Sequence, residues 1–132
     1  MLKDLKFDPV TNVKVAIAKT PEATGESTFY LYLINNKEED LKNVLVMTEA
    51  AEQEDGGGRK TSKLRHFFDL VGGNQSIKVE TVDPSVLGFY NRIWLSFYID
   101  GQVYDKRFTI EPFKEWDLNN ISEIELKGRL GS

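Results

Sequence analysis

Apolar residues recur at every second position along much of the chain, which is the period of a β-strand with one buried face. Near the N-terminus, Val13, Val15 and Ile17 alternate with Lys and Ala. Residues 27–34 differ, because both alternating sets are apolar or aromatic. That pattern is typical of a central strand covered on both faces. The pattern as a whole predicts strands rather than helices.

A hairpin in the second half of the chain has the strongest local signal. Asp100-Gly101 separates two alternating segments, and Asp-Gly favours a two-residue type I′ turn. Such a turn sets the register and places Trp94 opposite Arg107, on the face directed away from the core. The core face is then expected to carry Ile93, Leu95, Phe97, Ile99, Tyr104 and Phe108.

Further alternating segments, at 41–49, 61–70 and 76–82, are separated by turn-forming residues. No long helical pattern interrupts them. We therefore predict an all-β protein, a single antiparallel β-sandwich of about seven strands that is immunoglobulin-like. The domain spans 1–132, and 111–132 is expected to be a C-terminal tail packed on it.

Two segments resemble immunoglobulin-like and fibronectin-like domains. The first runs from the aromatic strand at 30–36 through a polar turn into Leu41-Lys42-Asn43-Val44-Leu45-Val46, and the second is Gly73-Asn74-Gln75-Ser76-Ile77-Lys78-Val79. The whole sequence also looks like a small family of Bacteroidetes proteins, some of which carry a label as phenylalanyl-tRNA synthetase subunit. The Arg-x-Glu motif of such synthetases does not occur in this sequence.

Composition narrows the possible chemistry. The chain has 132 residues, of which 40% are hydrophobic and 29% charged, a balance typical of globular domains. It has no cysteine and one histidine, which excludes disulfides, thiolate metal sites and multi-histidine sites. We expect no catalytic residue, no metal and no cofactor, so an enzyme is the less favoured class.

Charge and hydropathy bear on location and partners. Seventeen basic and 21 acidic residues give a net charge of −4, which disfavours nucleic acid as a partner. No apolar stretch approaches the roughly 20 residues that span a bilayer. No apolar run follows Met1 as in a signal peptide. We expect a cytoplasmic protein that binds neither nucleic acid nor membrane.

Two groups of side chains are candidates for binding a ligand or partner. The first consists of Trp94, Tyr98 and Arg107 on the outer face of the hairpin, where Arg107 and Trp94 would form a cation–π contact. If the C-terminal tail covers this face through Trp116 or Leu126, these side chains are buried instead. The sequence leaves both arrangements open.

The second group is basic and consists of Lys63, Arg65 and His66. Lys63 and Arg65 share one strand face and could receive an anion, an acidic partner or RNA. A charged edge strand that prevents aggregation is the commoner explanation. His66 points to the other face, where it is expected to be a hydrogen-bonded, partly buried histidine.

These observations predict a small binding or protein-interaction module, with a protein partner or self-association. The alternative is a carbohydrate-binding module that uses an aromatic row of Trp94, Tyr98 and Trp116. Solvent exposure of the two tryptophans distinguishes the two functions.

Overall fold

The structure is a computed structural model that describes residues 9–132. The N-terminal segment, in which we expect no signal peptide, lies largely outside the described residues. Within them the chain forms nine β-strands and one turn of 3-10 helix, Pro84–Val86. The strands are β1 Val13–Pro21, β2 Ser27–Asn35, β3 Leu41–Ala51, β4 Leu64–Val71, β5 Ser76–Val82, β6 Tyr90–Ile99, β7 Gln102–Ile110, β8 Asn119–Ile121 and β9 Leu126–Leu130.

The strands form two antiparallel sheets. One has five strands in the order β5-β2-β1-β9-β8, and the other has four in the order β4-β3-β6-β7. The predicted all-β sandwich class is therefore confirmed. The C-terminal residues add β8 and β9 to the strands that the alternating pattern indicates.

The main core lies between the two sheets and includes the predicted inward faces of β1, β2 and β6. A second, smaller cluster lies on the outer face of the five-stranded sheet. There Ala16 and Ala18 are buried with Tyr32 and Ile34 beneath Ile121 of the tail. β2 is thus covered on both faces, as predicted. The expectation that β1 has only one buried face is wrong, because the tail covers its other face.

The β6–β7 hairpin has the predicted geometry. Asp100 and Gly101 both adopt positive φ, at 50° and 77°, as a type I′ turn requires. Trp94 pairs with Arg107 and Phe97 with Tyr104. Phe97 and Tyr104 stack with ring centroids 5.3 Å apart. The two-residue turn therefore determines which side chains of this hairpin enter the core.

Strand β3 changes face at Asn43. The pairing of β3 with β6 shifts register between Lys42 and Leu45, and Asn43 has a φ of 50°. Leu41 and Val44 are both fully buried although three positions apart. The irregularity is a β-bulge, which directs Lys42 outward beside Tyr98.

The tail is held against β1 by close backbone packing and by an ion pair. A Cβ atom at Gly128 would lie 2.8 Å from the Cα of Ala18, so only glycine allows this approach of β9. The Glu123 carboxylate accepts hydrogen bonds from Lys14 Nζ and Asn36 Nδ2, each at 2.9 Å. These contacts fix β8 and β9 to the five-stranded sheet.

We predict that Gly101→Ala lowers the free energy of unfolding by about 1–2 kcal/mol, because a residue with a Cβ is strained at this positive φ. The matched control is Gly88→Ala. Neither Cβ would meet a heavy atom within 4 Å, but Gly88 does not have positive φ. Urea denaturation of both variants measures the difference. Equal stabilities would contradict the assigned turn.

The Glu123 anchor makes stability depend on pH. The hydrogen bonds from Lys14 and Asn36 lower the pKa of Glu123 from 4.5 to about 2. A carboxyl group whose pKa is lowered by folding stabilises the fold above its unfolded pKa, and this stabilisation disappears as the pH falls through the folded pKa. At neutral pH the free energy of unfolding of the wild type should exceed that of Glu123→Gln by about 1 kcal/mol or less, because the Lys14–Glu123 pair is solvent-exposed.

Below about pH 4.5 this difference should shrink, and it should be gone near pH 2. Glu115→Gln is the control, because Glu115 is exposed and forms no salt bridge with another described residue. Thermal unfolding across this pH range measures both variants. A difference that grows on acidification would show that the Glu123 contacts do not stabilise the tail.

Candidate functional site

The outer face of the four-stranded sheet is open. The C-terminal strands extend the other sheet, so they do not cover this face as the alternative arrangement required. Trp116 lies in the loop between β7 and β8 and is 77% exposed. It lines a shallow depression with Pro21 and Leu126 of the five-stranded sheet. The predicted aromatic row is therefore not assembled, because Trp116 does not join Trp94 and Tyr98.

Strand pairing arranges the open face in cross-strand rows. Each row takes one side chain from β4, β3, β6 and β7 in turn. The rows are Phe67, Leu45, Ser96 and Asp105; Arg65, Met47, Trp94 and Arg107; and Leu70, Lys42, Tyr98 and Val103. We call this surface the outer face.

An apolar patch runs across the outer face. Phe67 is 59% exposed, Leu70 51%, Tyr98 40% and Leu45 39%. The fully buried side chains of the same strands point to the opposite side, so these four residues are not needed in the core. Adjacent exposed apolar side chains of this size are typical of an interaction surface.

Cationic side chains converge on Trp94, which is half-buried in the centre of this face. The guanidinium carbon of Arg92 lies 5.0 Å from the indole ring centroid, Lys63 Nζ lies 5.6 Å from it, and the guanidinium carbon of Arg107 lies 6.0 Å from it. A cation within about 6 Å of an aromatic ring is attracted by its quadrupole, by roughly 0.5–1 kcal/mol at an exposed site. The ring therefore holds three positive charges close together.

In the part of the chain that the structure describes, only one of these three cations has a carboxylate partner. Arg92 pairs with Glu49 at 3.4 Å, and the Glu49 side chain is only 5% exposed. Among the described residues no carboxylate lies within salt-bridge distance of Lys63, Arg65 or Arg107. The outer face therefore carries a local positive charge on a chain whose net charge is −4.

Five of the six candidates from the sequence share this face. Lys63 contacts Trp94, and Arg65 lies in the same cross-strand row as Trp94 and Arg107. The pairing of β4 with β3 and of β3 with β6 brings the two predicted groups together. Tyr98 lies two positions after Ser96 on the same face of β6 and so belongs to the neighbouring row.

His66 is the exception. It points between the sheets, as expected, and its Nε2 lies 2.7 Å from Glu80 Oε1. The Glu80 carboxylate also accepts a hydrogen bond of 2.7 Å from Thr48 Oγ1. His66 therefore links β4 to β5 of the other sheet and does not belong to the outer face.

Sequence reasoning missed Arg92, Leu45 and Leu70 as parts of this surface. Arg92 could have been found, since it lies two positions before Trp94 and shares its strand face. Leu70 could not, because the bulge at Asn43 changes the face on which its neighbours lie. Leu45 could not be assigned to a face from the sequence, because it lies within the continuous apolar segment Val44-Leu45-Val46-Met47, which shows no alternation.

Comparison with models of known protein families and with curated proteins found no match. Over residues 9–132 we find no helix long and apolar enough to cross a membrane. The same residues contain no group of three or more His, Asp or Glu side chains that could hold a metal ion. The glycine-rich segment 56–58 lies in the connection between the hairpin strands β3 and β4, where Glu52 N donates a hydrogen bond to Arg59 O.

Proposed function

We propose that this protein is an interaction module whose outer face binds an acidic, apolar-containing segment of a partner protein. The observation that carries the proposal is the convergence of Lys63, Arg92 and Arg107 on Trp94 within an open apolar face. Apolar side chains of the partner would cover the patch around Phe67. Its carboxylates would meet the cations that have no partner in the described part of this chain.

The two parts of the surface contribute differently to binding. Removing apolar surface from water contributes about 25 cal/mol per Å², and the costs of association offset a large part of this gain. Charge complementarity mainly sets partner choice and association rate. The patch would therefore supply affinity, while Lys63 and Arg107 select an acidic partner.

The charges disfavour self-association through this face. In a two-fold dimer the same surface of both copies meets itself. The cations around Trp94 would then face the same cations of the second copy, and like charges in an interface are destabilising. An acidic partner would supply carboxylates to the cations of the outer face, whereas a second copy would bring further cations to them.

Carbohydrate binding is the second candidate. Trp94 and Tyr98 share a strand face and lie about 13 Å apart at the usual rise of a strand. With Trp116 elsewhere, the platform for a sugar is reduced to two rings. Cations already lie against Trp94, which favours an anionic partner over a neutral sugar ring.

The proposed fold type is immunoglobulin-like or fibronectin-like. The orders β5-β2-β1 and β4-β3-β6-β7 support it, because they correspond to strands E-B-A and C′-C-F-G of such domains. The chain lacks the cysteine pair of antibody domains. A cytoplasmic location remains a prediction.

Binding of synthetic peptides tests the proposed function. The probes are about twelve residues long, carry Leu or Phe at every second position, and carry Glu, Gln or Lys at the intervening ones. We expect the Glu series to bind most tightly and the Lys series not to bind. Added salt should weaken the Glu series selectively, because exposed charges are screened. Fluorescence anisotropy measures each affinity.

Variants locate the binding surface. Trp94→Ala should weaken binding of the Glu series by about thirtyfold, as for a buried interface residue worth about 2 kcal/mol. Arg107→Glu should weaken it and reduce the preference for the Glu series, because Lys63 and Arg65 remain near Trp94 and have no carboxylate partner among the described residues. Trp116→Ala is the matched control and should have no effect, since Trp116 lies outside the outer face. Equal binding of all three series, or a loss with Trp116→Ala, would contradict the proposal, as would dimerisation that Arg107→Glu abolishes.

A further inference from the structure

A cleft opens between the two sheets where β4 and β5 are edge strands. Its volume is about 250 Å³. This is slightly below the roughly 300 Å³ at which pockets for drug-sized ligands begin. The wall is mainly apolar and reaches the core through Ile17, Leu31, Val82, Val86 and Ile93. The cleft therefore fits the apolar body of a small ligand.

One carboxylate is held rigidly in this cleft. Glu80 lines it, and the Glu80 side chain is only 16% exposed. Its Oε1 accepts a hydrogen bond from Thr48 Oγ1 and one from His66 Nε2, which must donate because a carboxylate only accepts. Thr48 belongs to β3 and His66 to the edge strand β4, so two adjacent strands of the four-stranded sheet hold this group.

The second oxygen of Glu80 is available. Oε2 takes no hydrogen bond from any described residue and is not among the buried unpaired atoms. No Lys or Arg of the described chain forms a salt bridge with Glu80. A half-buried carboxylate with one free acceptor gains most from a donor that carries a positive charge.

We infer that the cleft between β4 and β5 binds a small amphipathic amine, with its apolar body between the sheets and its ammonium group on Glu80 Oε2. The other charges of the lining support this class. Glu49 and Asp83 are acidic, and Arg92, the one cationic residue of the lining, is already paired with Glu49. An anionic headgroup would meet carboxylates, and a neutral hydroxyl would gain only an ordinary hydrogen bond. This inference does not depend on the function proposed for the outer face.

A headgroup series tests the inference. Hexylamine, hexanol and hexanoate share one apolar body and differ in charge. We expect saturable chemical-shift changes at the amides of Val82 and Ile93 in ¹⁵N-labelled protein, with affinity falling in the order amine, alcohol, carboxylate. Amides of Ser96 and Asp105, which lie in the outer face and do not line the cleft, should not shift, which separates this site from the outer face.

Substitution of Glu80 isolates the headgroup contact. Glu80→Gln should weaken binding of hexylamine by about tenfold or more, because the ammonium group loses its ion pair and keeps only a hydrogen bond to an uncharged amide, and should leave binding of hexanol unchanged. Glu115→Gln, an exposed carboxylate outside the cleft, should alter neither. Should Glu80→Gln fail to fold, Val86→Phe in the apolar wall of the cleft should block binding of the amine.

Three results would overturn the inference. They are equal affinities for the three probes, tighter binding of hexanoate than of hexylamine, and no saturable shift at Val82 or Ile93 at millimolar hexylamine. If the wild type binds the acidic peptides but not the amine, only the inference about the cleft is contradicted. Amine binding without peptide binding would leave the site and remove the function proposed for the outer face.

Discussion

The packing of the C-terminal strands on β1 determines which outer face of the sandwich stays open. Gly128 allows β9 to approach the backbone of Ala18, and Glu123 ties the following turn to Lys14 and Asn36. Ile121 then covers the apolar outer side chains of β1 and β2. The four-stranded sheet receives no such cover from residues 9–132, and its outer apolar residues are exposed. One sheet has an exposed outer face because the tail packs on the other sheet.

The open face has a charge opposite to that of the whole chain. The net charge is −4, yet the cations around Trp94 outnumber the carboxylates that pair with them. At physiological salt the screening length is about 8 Å, so the local cations dominate the potential close to Trp94. A partner that is acidic over a short segment would be attracted there. A large polyanion would also meet the acidic remainder of the surface.

The sequence predicts those parts of the fold in which local chemistry sets long-range geometry. Asp100-Gly101 specifies a two-residue turn, and that turn specifies every pair of the β6–β7 hairpin. The position of Trp94 beside Arg107 follows from this alone. His66 is also placed correctly, because strand alternation puts it on the face opposite Lys63 and Arg65.

Other parts depend on contacts between distant segments, which alternation does not encode. The second buried face of β1 consists of Ala16 and Ala18, whose small side chains fit either a covered or an exposed position. The bulge at Asn43 inverts the face of β3, and asparagine is only one of several residues that permit it. The approach of Lys63 to Trp94 requires the register of β3 against both neighbours, and the long β3–β4 connection does not specify that register.

Ionic quenching of Trp94 fluorescence tests the central claim most directly, namely that the outer face is both open and cationic. The chain has two tryptophans, so Trp116→Phe leaves Trp94 as the only indole. The ratio of iodide quenching to caesium quenching should exceed the ratio for the uncharged compound N-acetyltryptophanamide, because Lys63, Arg92 and Arg107 concentrate anions and repel cations near the ring, and added sodium chloride should lower it toward the value of the free compound. A ratio equal to or below that of the free compound, or no quenching by either ion, would show that the face is not cationic or not open.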